Sequence, residues 1–236
     1  MHTDALARMT EPRSVFLRLA LALSLACFLS WPQLSLAAEA VGQIGGGQIG
    51  GGPETTTIGR VTRVQGTSFL VRGGTMRDVV LNAPVLRGES LRTGPLARVE
   101  LTMHDETKLT LGADTVFDLE RYDLGSQRGM GAVLLRLGKG AFRVATGRLD
   151  ALRGGPFEVD TPLGTIGIRG TDFWGGYLGA EEISVLLVSG AGVYIKNSAG
   201  ATEIVKPGYG VTLRSLDAPP PAAILWGPEK AARAFK

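Results

Sequence analysis

Chemistry requires acids, bases, nucleophiles or metal ligands held within reach of one another, and this chain offers few of them. Its 236 residues include two histidines, His2 and His104, and one cysteine, Cys27. His104 stands in His104-Asp105-Glu106-Thr107, between two runs of alternating apolar residues. That pattern predicts a polar hairpin loop, a poor place for the base of a Ser-His-Asp arrangement. A histidine-cysteine metal site is excluded by count. Asp105, Glu106, Asp114 and Asp118 could offer oxygens to calcium, but their spacing matches no EF-hand loop. Glu158 with Asp160, and Asp172 with Glu181, are carboxylate pairs of the type used in glycoside hydrolysis, and no feature of the sequence places either pair across a cleft. Gly164 to Gly170 reads G-x-x-G-x-x-G, yet no helix follows to supply the N-terminus that a phosphate needs. The charged pair that remains is Arg169 and Asp172, flanking Gly170. It reads either as a clamp bracing a chain corner or as Arg169 presented in bidentate geometry to a partner's carboxylate. No catalytic residue, cofactor or metal is assigned.

These residues sit in Pro156 to Gly175, a stretch built as strand, proline turn, strand and glycine corner. Phe157 and Val159 alternate with Glu158 and Asp160, the period of a strand with one buried face. Thr161, ahead of Pro162, is kept out of helix. Thr165, Ile166 and Ile168 restart a strand, and Arg169-Gly170-Thr171-Asp172 breaks it, with Gly170 supplying a backbone conformation denied to other residues. Phe173 and Trp174 point to opposite sides of the next strand, one into the core and one partly exposed. Trp174 and Tyr177 are interface candidates if they are exposed together.

From Ile58 to Leu213 glycines punctuate β-branched runs, predicting strands over 59–64, 68–72, 78–81, 98–103, 107–111, 115–119, 132–137, 140–146, 157–160, 165–168, 172–177, 183–188, 193–196, 202–205 and 211–214. Many short strands at regular spacing mean an all-β fold, a short β-solenoid-like stack of strand pairs or a β-sandwich. Glycine-ended pairs recur over 140–146, 165–170, 190–196 and 208–213.

Ahead of the strands, Arg13 and Arg18 precede or enter an apolar run from Val15 to Trp31, and Ala38-Glu39-Ala40 resembles a cleavage site. Residues 1–40 therefore read as a signal peptide, with an uncleaved anchor or a lipoprotein through Cys27 as the alternatives. Cleavage would remove the cysteine, leaving a core without disulfides. Residues 41–57 repeat Gln-Ile-Gly-Gly-Gly and read as a flexible linker. Residues 58–215 form the β domain. Residues 216–236 form a proline-rich tail with a short helix, in which Leu225 and Trp226 either dock back to cap one end or serve a partner.

The formal net charge is +3, and the predicted cleavage leaves it unchanged. Arg60, Arg63, Arg72, Arg77, Arg87, Arg92 and Arg98 enrich the first third in arginine, as solvated strand faces or as an attraction for an acidic partner. There is no aromatic and basic patch of the sort that binds nucleic acid.

One ordered set of motifs runs through Gly88-Glu89-Ser90-Leu91-Arg92-Thr93-Gly94, Ala97 to Leu101, Thr107 to Gly112, Leu135 to Leu137 with Gly140 to Val144, Phe157 to Pro162 and Val185 to Val193. It closes on Lys206-Pro207-Gly208-Tyr209-Gly210, and its most specific piece is Ile168-Arg169-Gly170-Thr171-Asp172-Phe173. In these motifs and their order the chain resembles the FecR family of periplasmic regulatory domains. The resemblance implies an all-β domain outside the cytoplasmic membrane that works by contact with proteins. Fuller members add a cytoplasmic sigma-binding segment and a membrane span. Here only Met1 to Glu11 precede the apolar run, so the resemblance carries over the exported domain and not direct anti-sigma activity. The expected function is an exported, non-enzymatic module acting in a bacterial envelope, periplasmic or secreted, through an unidentified protein partner. The alternatives are a glycan or peptidoglycan binder stacking sugars on Trp174, Tyr177, Tyr194 and Tyr209, and an envelope hydrolase.

Overall fold

A computed structural model describes residues 56–235. The apolar run, Cys27 and most of the linker lie outside the described residues. Everything below belongs to the compact unit Gly51–Lys236.

Eighteen strands follow one another. They are β1 (Thr57–Gln65), β2 (Ser68–Arg72), β3 (Thr75–Asp78), β4 (Pro84–Leu86), β5 (Ser90–Thr93), β6 (Arg98–Met103), β7 (Lys108–Leu111), β8 (Val116–Asp123) and β9 (Ala132–Lys139). Next come β10 (Ala141–Ala145), β11 (Phe157–Thr161), β12 (Gly164–Ile168), β13 (Thr171–Gly179), β14 (Glu182–Gly190), β15 (Val193–Asn197), β16 (Gly200–Ile204), β17 (Tyr209–Leu213) and β18 (Ile224–Leu225). One helix, α1 (Pro228–Ala234), ends the described chain, with proline in its first turn where no amide partner is needed.

The strands form two nine-stranded sheets, in the orders β4-β1-β6-β7-β10-β13-β14-β17-β18 and β3-β2-β5-β8-β9-β11-β12-β15-β16. The chain alternates between them, and apart from the first pair in each sheet every visit adds strands on the same side. Neighbours are antiparallel except β9 and β11. The all-β expectation holds, with two open nine-stranded sheets sharing one core.

That core follows from period-2 patterning. In β6 Val99, Leu101 and Met103 are buried while their neighbours are half-exposed. Phe142 on β10 links the sheets, with its ring centroid 5.1 Å from that of Phe117 on β8 and 5.5 Å from that of Phe173 on β13. The apolar run 78–81, expected as a strand, is instead the exit from β3 and a turn, with Val79 buried and Val80 and Leu81 exposed. The strands β4, β5 and β18 were not expected; each is four residues or fewer, too short for alternation to register.

The tail does more than cap an end. β18 adds a strand beside β17. Trp226 lies buried on the outer face of the first sheet in a second apolar cluster with Trp174, Leu186 and Ala234. Leu225, expected to dock with it, is exposed, as is Ile224. Strands β13 and β14 are therefore buried on both faces rather than alternating. Before reaching that face the tail passes the β15–β16 hairpin that ends the second sheet. There the Asn197 side-chain amide donates to the Ala218 carbonyl at 2.7 Å and Thr202 Oγ1 to that of Pro220 at 2.8 Å, covering an otherwise open edge.

Candidate functional site

The corner between β12 and β13 carries the residues singled out in the sequence. Gly170 has φ +77°, in the left-handed region. A Cβ there would meet only Leu149 Cδ1, at an ordinary 3.5 Å, so conformation and not space demands glycine. Gly170→Val is expected to cost about 1–2 kcal/mol, with Gly170→Asn milder, as read from denaturant midpoints. Equal loss for the two would point to a packing cause.

Arg169 and Asp172 do not clamp each other. Asp172 is held in a bidentate pair by Arg143 on β10, with Nε to Oδ1 at 2.8 Å and an Nη to Oδ2 at 2.5 Å. The hydrogen bonds to Asp172 push the Arg143 guanidinium pKa up, against the opposing effect of burial. Arg169 pairs instead with Glu203 at 3.0 Å and lies 5.8 Å from the Tyr194 ring centroid. The reason is topological. Gly170 is the crossing point between sheets, so Arg169 follows directly on the second sheet's β12 while Asp172 already lies on the first sheet's β13. Thr171, between them and buried, donates its N–H to Thr146 Oγ1 at 2.8 Å and its hydroxyl to the Ser189 carbonyl at 2.5 Å.

Phe173 is wholly in the core, and Trp174 is only 4 % exposed. Trp174 meets Trp226 edge-on with centroids 6.2 Å apart. The partial exposure expected for one of the two is absent because the tail covers it. Tyr177 is half-buried against the main core, and with Trp174 covered the two are not exposed together.

Most of the carboxylates considered for catalysis or metal binding are held by neighbouring side chains or stand exposed in loops. Glu158 accepts hydrogen bonds from Lys196 Nζ at 2.7 Å and the Tyr194 hydroxyl at 2.9 Å, and Asp160 accepts one from Thr165 at 2.8 Å. Glu181 is exposed at a turn, away from the Arg143 pair that holds Asp172. Glu106 and Asp114 are exposed, and among the described residues no three histidine, cysteine, aspartate or glutamate side chains could share a metal ion. His104 is exposed in its loop.

Burial alone would raise the Glu158 carboxyl. The hydrogen bonds from Lys196 and Tyr194, with the lysine charge, outweigh it and leave the pKa below the ordinary value. The hydrogen bonds of Arg121 and Arg87 do the same for Asp123 against its own burial. A carboxylate with a depressed folded-state pKa adds stability that is present above its unfolded pKa, about 4.3 for glutamate, and is lost as pH falls through the folded value. Urea midpoints are expected to fall in that acid range, and Lys196→Met should flatten the fall. An unchanged slope in that variant would separate Glu158 from the acid sensitivity.

Two braces escaped the residue-by-residue reading. Glu89 is buried and grips Arg77 through both carboxylate oxygens, at 2.8 and 2.9 Å from one Nη, while accepting the Leu86 N–H at 2.8 Å. It joins β3 to β4, a long-range pairing signalled in the sequence only by its place in the Gly88-Glu89 opening. Asp105, in the loop read as polar and exposed, is completely buried. Its oxygens accept the Tyr122 hydroxyl at 2.7 Å, the Thr107 hydroxyl at 2.8 Å and the Thr107 N–H at 3.2 Å. Burial first, then the Asp105 charge, push the Tyr122 pKa upward.

The matches to known proteins follow the braced stretch. Residues 89–191 match the family described as FecR protein. Two crystal structures of a "putative anti-sigma factor" from Parabacteroides distasonis ATCC 8503 are similar at 16 % identity, with a TM-score of 0.48. The similarity covers 61 % of this chain and 62 % of that one, so the chain spans less than two thirds of that protein's length. Among curated proteins nothing matches the chain.

Proposed function

From a chain whose residues 89–191 match the FecR protein family, we propose an exported, non-enzymatic regulatory module of the bacterial envelope. It acts by protein–protein contact in signalling or assembly. The family match is the observation that carries this reading. The side-chain geometry supports it: charged residues of the matched stretch hold strands together, as Glu89 does with Arg77 and Asp172 with Arg143. The basic start, apolar run and small-residue end of residues 1–40 support export. Stacking of sugars on Trp174 finds no support, since the tail lies over that ring.

Affinity capture with cross-linking from envelope fractions, using the tagged full chain, tests the reading. The expected result is a protein partner recovered in proportion to the bait, with the bait itself in the envelope or periplasmic fraction. Recovery of no partner across several growth conditions, or a bait confined to the cytosol, would count against it.

A further inference from the structure

Beside the docked tail, the outer face of the first sheet and α1 enclose a groove of about 570 Å³, within the range of ligand sites. We propose that this groove binds an extended acidic peptide segment of a partner protein, with an apolar side chain carried between its carboxylates. The inference rests on the protein-contact reading above and assigns that contact a place and a chemistry.

Charge complementarity is the first argument. Arg98, Arg143 and Arg233 line the groove, and no aspartate or glutamate does. Arg143 is already neutralised by Asp172. Arg98 is half-buried on β6 and, among the described residues, has no carboxylate within 4.0 Å and no side-chain hydrogen bond. Arg233, on α1, donates to the Leu178 carbonyl, and among the described residues it too lacks a carboxylate partner. Two guanidinium groups from different elements thus border a partly enclosed site without counter-charges, each able to engage a carboxylate through two N–H donors.

The apolar surroundings form the second argument. Leu96 is 87 % exposed and held at φ +58°. A leucine in the left-handed region costs about 1 kcal/mol, and here the strained residue displays an apolar side chain to solvent instead of burying it, which marks the rim as a contact surface. Phe235 contributes a part-exposed ring with Arg143 stacked 5.6 Å from its centroid. Acidic residues would meet the arginines while an apolar residue between them meets Leu96 and Phe235. The enclosed volume suits a short segment of chain and not a folded surface.

Selection from a displayed library of random short peptides on the immobilised full chain tests the proposal. Sequences combining aspartate or glutamate with a large apolar residue should be enriched. A synthetic peptide from that set should bind about tenfold more weakly to Arg98→Glu and be weakened by Leu96→Ser, with Arg98→Lys retaining part of the affinity. Thermal melts confirm that the variants are folded, as expected where the Arg98 side chain holds nothing in place. Enrichment of basic or uncharged sequences, no enrichment, or acidic peptides indifferent to Arg98→Glu would overturn the proposal. So would decanoate saturating the groove when no peptide is selected, which would assign it to a small amphiphile. Envelope capture keeps the two readings apart. A partner recovered equally by wild type and Arg98→Glu removes the groove and leaves the regulatory reading standing. Groove-dependent peptide binding without any envelope partner removes the regulatory reading alone.

Discussion

Replacing Trp226 by alanine is expected to destabilise the protein by about 3–4 kcal/mol, the usual cost of emptying a large aromatic site. The melting temperature should fall by about 10 °C, at roughly 2–4 °C per kcal/mol for a domain of this size. Trp226 is 6 % exposed, lies edge-on to Trp174, and has the Lys230 ammonium 4.3 Å from its ring centroid. Gly210 on β17 makes the close approach possible, because a Cβ there would fall 2.5 Å from the indole ring. Losing the indole also uncovers Trp174 and Leu186, so the fluorescence of the remaining tryptophans should shift to the red. Differential scanning calorimetry and emission spectra check both effects. A variant with an unchanged melting temperature would mean that the tail is a loosely held peptide, and that its docking contributes nothing to folding. Trp174→Ala should give a similar loss, and the double variant less than the sum, because the rings share one contact.

Asp105→Ala is expected to cost about 3 kcal/mol or more. The carboxylate receives the Tyr122 hydroxyl and both donors of Thr107 in a fully buried position. Its removal leaves three buried donors without an acceptor. The damage would spread, since the Arg148 N–H donates to the Asp105 carbonyl at 2.7 Å and the Gly147 N–H to Thr107 Oγ1 at 3.0 Å. One aspartate therefore ties the β6–β7 hairpin to β8 and to the segment after β10. Tyr122→Phe removes a single donor and keeps the ring against Phe157, 6.4 Å away; about 1 kcal/mol is expected. Urea denaturation of the two variants checks the order. Equal losses would show that the carboxylate is satisfied in some other way.

Local pattern was enough for the all-β class and for most of its strands, because a strand with one buried face records its period in consecutive residues. Val99, Leu101 and Met103, or Phe157 and Val159, declare their faces without knowledge of any partner. Gly170 was legible for a similar reason: a glycine that breaks a strand beside Thr171 and Asp172 points to a backbone conformation, and its φ depends on no distant residue. The order of the family motifs was legible too, and the match over residues 89–191 falls within the stretch they span.

Tertiary structure decided the partners. Arg169 and Asp172, three residues apart, separate because the chain crosses between sheets at Gly170, so Asp172 takes Arg143 and Arg169 takes Glu203. Asp105 changes from a loop carboxylate into a buried acceptor because Tyr122, seventeen positions away, brings it a hydroxyl. Trp174 is removed from the surface by Trp226, which arrives from the end of the chain. The groove lined by Arg98, Arg143 and Arg233 exists only once β6, β7, β10, β13 and α1 are brought together. Hydrophobic period is a property of neighbours in the chain, whereas hydrogen bonds, ion pairs and concave surfaces belong to neighbours in space. The sequence by itself therefore determined what kind of fold this is and where most of its strands run, and only the folded chain decided which of its charged residues brace which strands.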